Sequence, residues 1–267
     1  MNPHRVLITG AAGNLGRALR ERLRGQFPVM RLSDREAVEE AGEGEEVMET
    51  ELADAAAVDR LLNGVDAVVH LGGQPVEADW QTVLNSNIIG CYNLFEAARK
   101  AGAKRVIFAS TNHAIGLHRR TRRLDHTSEA MPDSRYGLSK AFGEDLARLY
   151  AYKFGVSAKC VRIGSCFPKP ADERALSTWQ SYDDFARLIH VGLTADFTFE
   201  IVYGVSDNPR AWWDNSNAKR LGYKPQDSAE VYASELEGKL CENPMDDLFQ
   251  GGAFVSPEFT GDVDKIP

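Results

Sequence analysis

The N-terminal segment constrains the fold more than any other stretch, because a strand, a glycine-rich turn and a helix follow one another without a gap. A β-branched run covers residues 5–9, the turn spans Gly10–Gly16, and a strong helix-forming run continues to residue 24. Glycines allow a tight turn and let a pyrophosphate approach the helix N-terminus, where free N–H groups and the helix dipole favour an anion. The context therefore predicts a dinucleotide-binding turn with Gly-x-x-Gly-x-x-Gly spacing.

Further strands alternate with helices along the rest of the chain. The pattern predicts strands at about 28–33, 66–71, 103–110, 157–163 and 197–203. Short links between alternating elements are typical of an α/β fold with a doubly wound parallel sheet, the Rossmann fold. Right-handed crossovers then bring the carboxyl ends of all strands to one edge, where ligands bind.

We expect a single domain over residues 1–267. Its cofactor-binding core covers about 1–164 and a late strand at about 197–203. A small C-terminal substrate-binding cap covers about 165–193 and 207–267. Residues 36–51 contain eight glutamates and two glycines, and we interpret them as a solvated acidic segment without function.

Asp34 stands at the tip of the second predicted strand. A carboxylate there accepts hydrogen bonds from an adenosine ribose and repels a 2′-phosphate, which predicts NAD as the cofactor. Arg31 and Arg35 flank Asp34, so NADP stays open. The alternative is that Asp34 is only a helix cap or a turn residue.

Tyr136 and Lys140 form a candidate acid–base unit, because they lie one turn apart on the same face of a predicted helix. A nearby cation favours the phenolate and lowers the tyrosine pKa. The alternative is an ordinary amphipathic helix with a solvated lysine. Thr111, at the end of an earlier strand, can hydrogen-bond a substrate oxygen beside the phenol or merely cap a turn.

Several classes of function are disfavoured. The 267-residue chain has a formal net charge of −8, which argues against nucleic acid as a partner, and no apolar run reaches the ~20 residues of a membrane span. His113 and His118 lack the Cys or carboxylate cluster that completes a metal site, so we expect no metal. We interpret the basic run 118–123 as a solvated loop and not as a nucleic-acid-binding segment.

Cysteine usage and the N-terminus suggest where the protein works. The first strand begins almost at once, which leaves no room for a signal peptide. The cysteines lack a Cys-x-x-Cys pair, and most lie in or near apolar segments: Cys91, Cys160, Cys166 and Cys241. Free thiols are typical of a reducing compartment, so we expect a cytoplasmic protein.

The motif Thr9–Gly16 together with Thr111, Tyr136 and Lys140 resembles the short-chain dehydrogenase/reductase superfamily in its extended, epimerase-like form. Further blocks resemble the uronate dehydrogenases of that superfamily: 70–73, 87–90, 110–113, 162–166, 176–179 and 212–216. These blocks span nearly the whole chain. The resemblance implies NAD-dependent oxidation of a small uronic acid, glucuronate or galacturonate, at C1.

The resemblance also implies roles for individual residues. Tyr136 is the base, Lys140 holds the nicotinamide ribose and assists it, and Thr111 binds the reacting oxygen. Implied cofactor contacts are Gly10, Gly13, Asn14, Leu15, Gly16, Asp34, Glu51, Leu52, Leu71, Gly72, Gly73, Asn87, Lys140 and Ile163. Implied substrate contacts are Gln74, Thr111, Asn112, His113, Tyr136, Ser165 and Arg174.

Arg174 is expected on the substrate carboxylate, since a guanidinium can bind one bidentately. On the sequence alone, a surface ion pair with Asp172 or Glu173 is an alternative. Three positions depart from the family pattern. Thr111 replaces a serine, Glu51 replaces an aspartate that meets the adenine, and Gln74-Pro75 replaces a segment with a substrate-facing serine.

Two other functions remain open at this point. One is a nucleotide-sugar epimerase or dehydratase that shares the Tyr/Lys pair, although the C-terminal part is small for a nucleotide sugar. The other is a non-catalytic NAD(P)-sensing regulator, which has no need of the Thr111, Tyr136 and Lys140 set. By analogy with related proteins, the helices at 79–101 and 135–154 predict a homo-oligomer, a dimer or larger.

Overall fold

A seven-stranded parallel sheet organises the fold in the computed structural model, which describes residues 2–267. Its strands are β1 (Arg5–Thr9), β2 (Val29–Asp34), β3 (Glu45–Glu49), β4 (Ala67–His70), β5 (Arg105–Thr111), β6 (Ser157–Ile163) and β9 (Phe199–Gly204). They are arranged in the order β3-β2-β1-β4-β5-β6-β9. Two short strands, β7 (Ser165–Cys166) and β8 (Trp179–Gln180), pair separately. The predicted doubly wound sheet is confirmed.

Helices cover both faces of the sheet. They are α1 (Asn14–Leu23), α2 (Ala55–Leu61), α3 (Trp80–Val83), α4 (Gly90–Ala101), α5 (Arg135–Phe154), α6 (Ala175–Thr178), α7 (Tyr182–Thr194), α8 (Ser216–Arg220) and α9 (Ala233–Leu236). Leu19 of α1 and Leu188 of α7 are buried in one apolar core. Phe95 of α4 and Leu146 of α5 are buried in a second apolar core. Burying each such side chain contributes about 1.5–3 kcal/mol.

The sheet changes winding direction between β1 and β4, where two glycine turns leave the sheet side by side. The Thr9 hydroxyl lies 2.8 Å from His70 Nδ1 and accepts the Gly72 N–H at 3.2 Å. Burial lowers the pKa of His70 to about 3, so the ring is neutral. This buried pair joins the ends of both strands at the topological switch point, where ligands bind in such folds.

The acidic segment 36–51 is not wholly solvated, contrary to the prediction, because it contains the edge strand β3. Glu45 is buried and pairs with Arg20 of α1 at 2.7 Å. That hydrogen bond lowers the pKa of Glu45 to about 2. Glutamate is depleted in strands, so the local composition hid β3. The arginines that neutralise it lie far away in sequence.

The helix predicted at 79–101 is interrupted. A π-helical turn, Leu84–Ile89, lies between α3 and α4. Such π turns occur frequently at functional sites, and this one carries Asn87.

Part of the basic run 118–123 holds the C-terminal segment. The prediction of a solvated loop is correct for residues 121–123, which are exposed, and wrong for Arg119 and Arg120, which are half-buried. Arg119 donates to the carbonyls of Val263 and Ile266. Arg120 donates to Asp247 at 2.7 Å and to the Phe249 carbonyl at 3.0 Å.

No helix among residues 2–267 combines the length and hydropathy that crossing a bilayer requires.

Candidate active site

The glycine turn after β1 is shaped by close backbone packing. Gly10 has φ of 73°, a conformation that favours glycine. A Cβ on Gly16 would overlap the Gly10 carbonyl, so only glycine lets α1 start this close to β1. Gly13 and Asn14 are exposed at the start of α1, and Leu15 is half-buried. The helix N-terminus therefore presents an open backbone surface.

Asp34 lies at the tip of β2, next to the glycine turn. Its Oδ2 accepts the Ala12 N–H at 3.0 Å, and its Oδ1 accepts the Glu36 N–H at 3.2 Å. Arg31 points away, because its guanidinium pairs with Glu46 at 2.7 Å. The Asp34 carboxylate thus accepts hydrogen bonds from backbone N–H groups, and Arg31 is engaged in an ion pair with Glu46. Arg35 is exposed on the surface.

The remaining predicted cofactor residues line the same edge. Gly73 has φ of 135°, and a Cβ there would come 2.6 Å from Asn87 Oδ1. Leu52 is buried against Gly72. Glu51 is exposed, and its Oε1 accepts the Ala53 N–H at 3.2 Å. Leu71 is half-buried and Ile163 is buried at the end of β6.

Asn87 bonds to protein on both sides of its amide. Its Oδ1 accepts the Gln74 N–H at 2.7 Å, and its Nδ2 donates to the Gln74 carbonyl at 3.1 Å and to Ser139 Oγ at 2.9 Å. Ser139 Oγ in turn donates to the Tyr136 carbonyl at 2.7 Å. Asn87 has only an oxygen lone pair left for a cofactor, and it fixes the Gln74 backbone to the helix of Tyr136.

Tyr136 and Lys140 are both buried in the first turns of α5. Lys140 Nζ donates to the Ala109 carbonyl at 2.9 Å and lies 5.8 Å from the Tyr136 ring centroid. Ser134 caps the helix through the Gly137 N–H, and Glu77 accepts the Tyr136 N–H at 2.8 Å. The alternative of a solvated lysine is therefore wrong.

The pKa of Tyr136 moves in the direction opposite to the predicted one. Burial raises it to about 12, while the Thr111 hydroxyl acts in the lowering direction and the charge of Asp133 adds to the increase. Burial likewise lowers the pKa of Lys140 to about 8. The physical reason is desolvation, which disfavours the phenolate of Tyr136 and the ammonium of Lys140 alike.

Thr111 ends β5, and the turn after it carries Asn112 and His113. Thr111 Oγ1 accepts the His113 N–H at 3.2 Å, so it caps a turn as well as facing the phenol. His113 Nδ1 lies 2.8 Å from Asp133 Oδ2. The two rings of His113 and Tyr136 meet edge to face at 5.9 Å.

Arg174 reaches this cluster from the predicted cap. Its Nη1 donates to Ser165 Oγ at 3.2 Å. Its Nη2 contacts the Asn112 amide oxygen at 2.8 Å, in the amide orientation that also lets Asn112 donate to the Ile163 carbonyl. The expected alternative partners are occupied, since Asp172 accepts from Ala175 and Glu173 from Gly238.

The Arg174 guanidinium lacks a counter-ion in the described part of the chain. Its Nε is buried and unpartnered, and burial lowers the pKa of Arg174. The residue as a whole is half-buried, so its charge is partly desolvated with no carboxylate in an ion pair, which is unfavourable. The arrangement therefore favours an external anion at this position.

The C-terminal segment contributes residues that the sequence analysis missed. The Gln250 carbonyl accepts from Arg174 Nη2 at 2.6 Å, and Phe254 stacks on His113 with centroids 3.8 Å apart. Neither residue lies in a periodic or motif-like stretch, so no sequence signal marks them. Asp133 and Ser134 lie three and two residues before Tyr136, and both are of residue types that favour helix N-caps.

Gln74 is half-buried, and its backbone N–H donates to the Asn87 side chain.

Among residues 2–267, no three His, Cys, Asp or Glu side chains form a group that could hold a metal ion. The cluster thus consists of a phenol, an ammonium, a hydroxyl and a guanidinium beside a dinucleotide-type glycine turn. This fold and this site define the extended short-chain dehydrogenase/reductase class.

Comparisons with known proteins refine the class. The model of the NAD dependent epimerase/dehydratase family matches residues 6–181. A uronate dehydrogenase from Pseudomonas syringae pv. tomato is 47% identical over 97% of this chain and 96% of its own length. The chain belongs to the NAD dependent epimerase/dehydratase family and, within it, to the uronate dehydrogenase family.

Solved structures agree with that assignment. A glucuronic acid dehydrogenase from Chromohalobacter salexigens is 46% identical with a TM-score of 0.91, covering 98% of this chain and 99% of its own. A mutant uronate dehydrogenase from Agrobacterium tumefaciens complexed with NAD also has a TM-score of 0.91. It is 46% identical and covers 96% of this chain and 99% of its own.

Proposed function

We propose that this protein oxidises a hexuronate, D-glucuronate or D-galacturonate, at C1 with NAD to give the aldaro-lactone. The observation that carries the proposal is the Arg174 guanidinium, which forms no ion pair among residues 2–267 and keeps a buried Nε without a partner. It contacts Asn112, the residue after Thr111, whose hydroxyl bonds to Tyr136. A guanidinium binds a carboxylate through charge-assisted hydrogen bonds. A sugar acid is therefore favoured over a neutral sugar.

The edge of the sheet fits a dinucleotide. Gly10 and Gly16 let α1 begin against β1, as the overlap of any added Cβ with neighbouring backbone demonstrates. The exposed Gly13 and Asn14 leave the helix N-terminus open to a pyrophosphate, and Asp34 suits a ribose diol. Bound NAD supplies the hydride acceptor.

Tyr136 acts as the base that takes the proton of the C1 hydroxyl. Thr111 holds the same oxygen, and its hydroxyl acts to lower the pKa of Tyr136. Lys140, fixed on the Ala109 carbonyl, supplies the positive charge that favours the phenolate. Asn112, His113 and Ser165 hold the other sugar oxygens, with Gln74 at the edge of the site.

The product follows from the bonds that change. C1 of a closed uronate ring carries a hydroxyl and the ring oxygen. It loses a hydride, the hydroxyl loses its proton to Tyr136, and a C=O bond forms. The ring oxygen keeps its bond to C1, so the product is a lactone, and water is not consumed.

The test is turnover of NAD with glucuronate, galacturonate and their neutral parent sugars, followed by the absorbance of reduced nicotinamide. We expect turnover with the uronates and little with the neutral sugars. Nuclear magnetic resonance of C1-labelled substrate should detect the lactone before the open-chain aldarate. Aldarate appearing first, or equal turnover of the neutral sugars, would contradict the proposal.

The nucleotide-sugar epimerase and the sensor are disfavoured by the same cluster. A sensor has no use for the buried Thr111, Tyr136 and Lys140 set. An epimerase has to accommodate a nucleotide, whereas the Gln250–Phe254 stretch lies directly against Arg174 and His113.

Assembly and compartment are part of the proposal. The outer faces of α4 and α5 expose large apolar side chains, namely Tyr92, Leu138, Leu149 and Tyr152. Such surfaces mark association sites, which supports a homo-oligomer. Cys91, Cys160 and Cys166 are buried free thiols, which suits the reducing cytoplasm. Sedimentation of the purified protein tests the oligomer.

A further inference from the structure

Asp133 is a fully buried carboxylate between the turn after β5 and the start of α5. Its Oδ2 lies 2.8 Å from His113 Nδ1, and its side chain has no solvent exposure. Its Oδ1 accepts the Ser134 hydroxyl at 2.7 Å. The Ser134 oxygen is fixed in turn by the Gly137 N–H at 3.0 Å.

Glycines from three separate segments make room for this carboxylate. A Cβ on Gly116 or on Gly251 would overlap Asp133 Oδ2, and one on Gly137 would lie 3.2 Å from Oδ1. The site is thus built around Asp133 by the turn after β5, by α5 and by the C-terminal segment. This packing fixes the rotamer of Asp133 and, through it, the orientation of the His113 ring.

The shared proton belongs to the imidazole, because histidine is more basic than aspartate. An ionised carboxylate can only accept, so the neutral His113 ring carries its hydrogen on Nδ1. Its Nε2 then offers a lone pair and no hydrogen, as for histidines oriented by a carboxylate.

The other surfaces of the His113 ring are also defined. Phe254 covers one face at 3.8 Å, and Tyr136 meets the ring edge to face at 5.9 Å. The side chain keeps 14% exposure, and its Nε2 has no hydrogen-bond partner in residues 2–267. One acceptor atom is therefore left beside the catalytic phenol.

We propose that Asp133 is a positioning residue that makes His113 Nε2 an obligatory hydrogen-bond acceptor for one hydroxyl of the sugar. The inference rests on the proposed function for the identity of the ligand, although not for the tautomer. It predicts selection for a hydroxyl group over a fluorine, an ether or a keto oxygen at that ring carbon, since none of these can donate.

The tautomer is tested without substrate. Histidine ¹⁵N spectra at about pH 8.5, where a free histidine is neutral, distinguish a protonated Nδ1 from a protonated Nε2. The His113→Gln variant assigns the signal. We expect Nδ1–H in the wild type and a loss of that preference in Asp133→Asn. A wild-type ring protonated on Nε2 would overturn the proposal whether or not uronates are oxidised.

The specificity arm uses deoxy and deoxyfluoro uronates at each ring carbon. We expect one carbon where both analogues lose kcat/KM by a similar factor of roughly 2–10-fold, as for the loss of one typical hydrogen bond. Asp133→Asn should lose a comparable factor with the normal substrate and keep its NAD affinity. The exposed Asp145→Asn change on α5 is the matched control. A fluoro analogue that clearly outperforms the deoxy analogue at every sensitive carbon would mean that Nε2 donates.

Discussion

The two sides of the active site are built differently. On the cofactor side, Gly10 and Gly16 belong to one continuous stretch and work through backbone geometry. On the substrate side, Arg174 contacts the amide of Asn112 and the backbone carbonyl of Gln250, which come from segments far apart in the chain. The glycine turn is thus local, whereas the substrate side is an assembly.

This difference determines how each side should respond to mutation. A glycine turn tolerates substitution where an added Cβ has room. Where an added Cβ overlaps the backbone, the substitution destabilises the fold. A side-chain assembly loses a specific chemical contact while the fold persists. Substitutions on the two sides should therefore separate binding, turnover and stability.

The largest effect is expected for Tyr136→Phe, which removes the proposed base from the assembled side. Turnover should fall by about 10²–10⁴-fold, typical of a lost general base, while NAD titration should show unchanged affinity. Tyr182→Phe, which keeps the ring that packs against Arg22, is the control. Near-normal turnover would place the base on another residue, with His113 examined first.

Arg174→Ala should remove the contact to the substrate carboxylate. A hydrogen bond to a charged group contributes about 1.5–3 kcal/mol, so KM for uronates should rise roughly ten- to hundredfold. Turnover of the neutral sugar should change little. Arg210→Ala, which removes a surface ion pair with Glu230, is the control. Equal losses on acid and neutral sugars would exclude a carboxylate contact.

Two glycines of one turn should behave differently. Gly16→Ala forces a Cβ into the Gly10 carbonyl and should lower the free energy of unfolding by about 1–3 kcal/mol. A Cβ on Gly13 meets its nearest atom only at 3.4 Å, so Gly13→Ala should keep stability and weaken NAD binding alone. Denaturant unfolding and NAD titration measure the two effects, and equal destabilisation would refute the distinction.

Asp34→Ala removes the proposed hydrogen bond to the ribose of NAD, and a typical hydrogen bond contributes about 0.5–1.5 kcal/mol. The ratio of kcat/KM for NAD to that for NADP should therefore fall by roughly tenfold or less. The measurement is kcat/KM with each cofactor. Wild-type protein that uses NADP as well as NAD would show that Asp34 has a structural role only, through Ala12.

The smallest effect on activity concerns a lysine in the sheet below both sides, which acts on stability alone. Lys159 is fully buried and donates to the Leu188 carbonyl, and burial lowers its pKa to about 7. Between pH 7 and its unfolded pKa, the unfolded chain binds more protons, so Lys159 makes stability rise with pH. The rise is at most about 1.4 kcal/mol per pH unit. Lys159→Met should flatten the pH dependence of Tm, and an unchanged slope would contradict this.

The sequence predicted the parallel sheet, the glycine turn and the Tyr136–Lys140 pair because each depends on neighbours along the chain. It missed β3, since the charges that neutralise Glu45 come from Arg20 of α1. It also misjudged part of the basic run 118–123, whose partners lie more than a hundred residues later. Long-range pairing leaves no local periodicity to detect.

Short-range patterns suffice to predict the class of fold and the types of reactive group: hydrophobic alternation, glycine spacing and the one-turn separation of Tyr136 and Lys140. The environment of those groups comes from tertiary contacts. Burial reverses the expected pKa shift of Tyr136 and lowers the pKa of Arg174. The folded chain also brings Asp133 and Phe254 to His113. Desolvation depends on everything that surrounds a group, and those neighbours come from the whole chain.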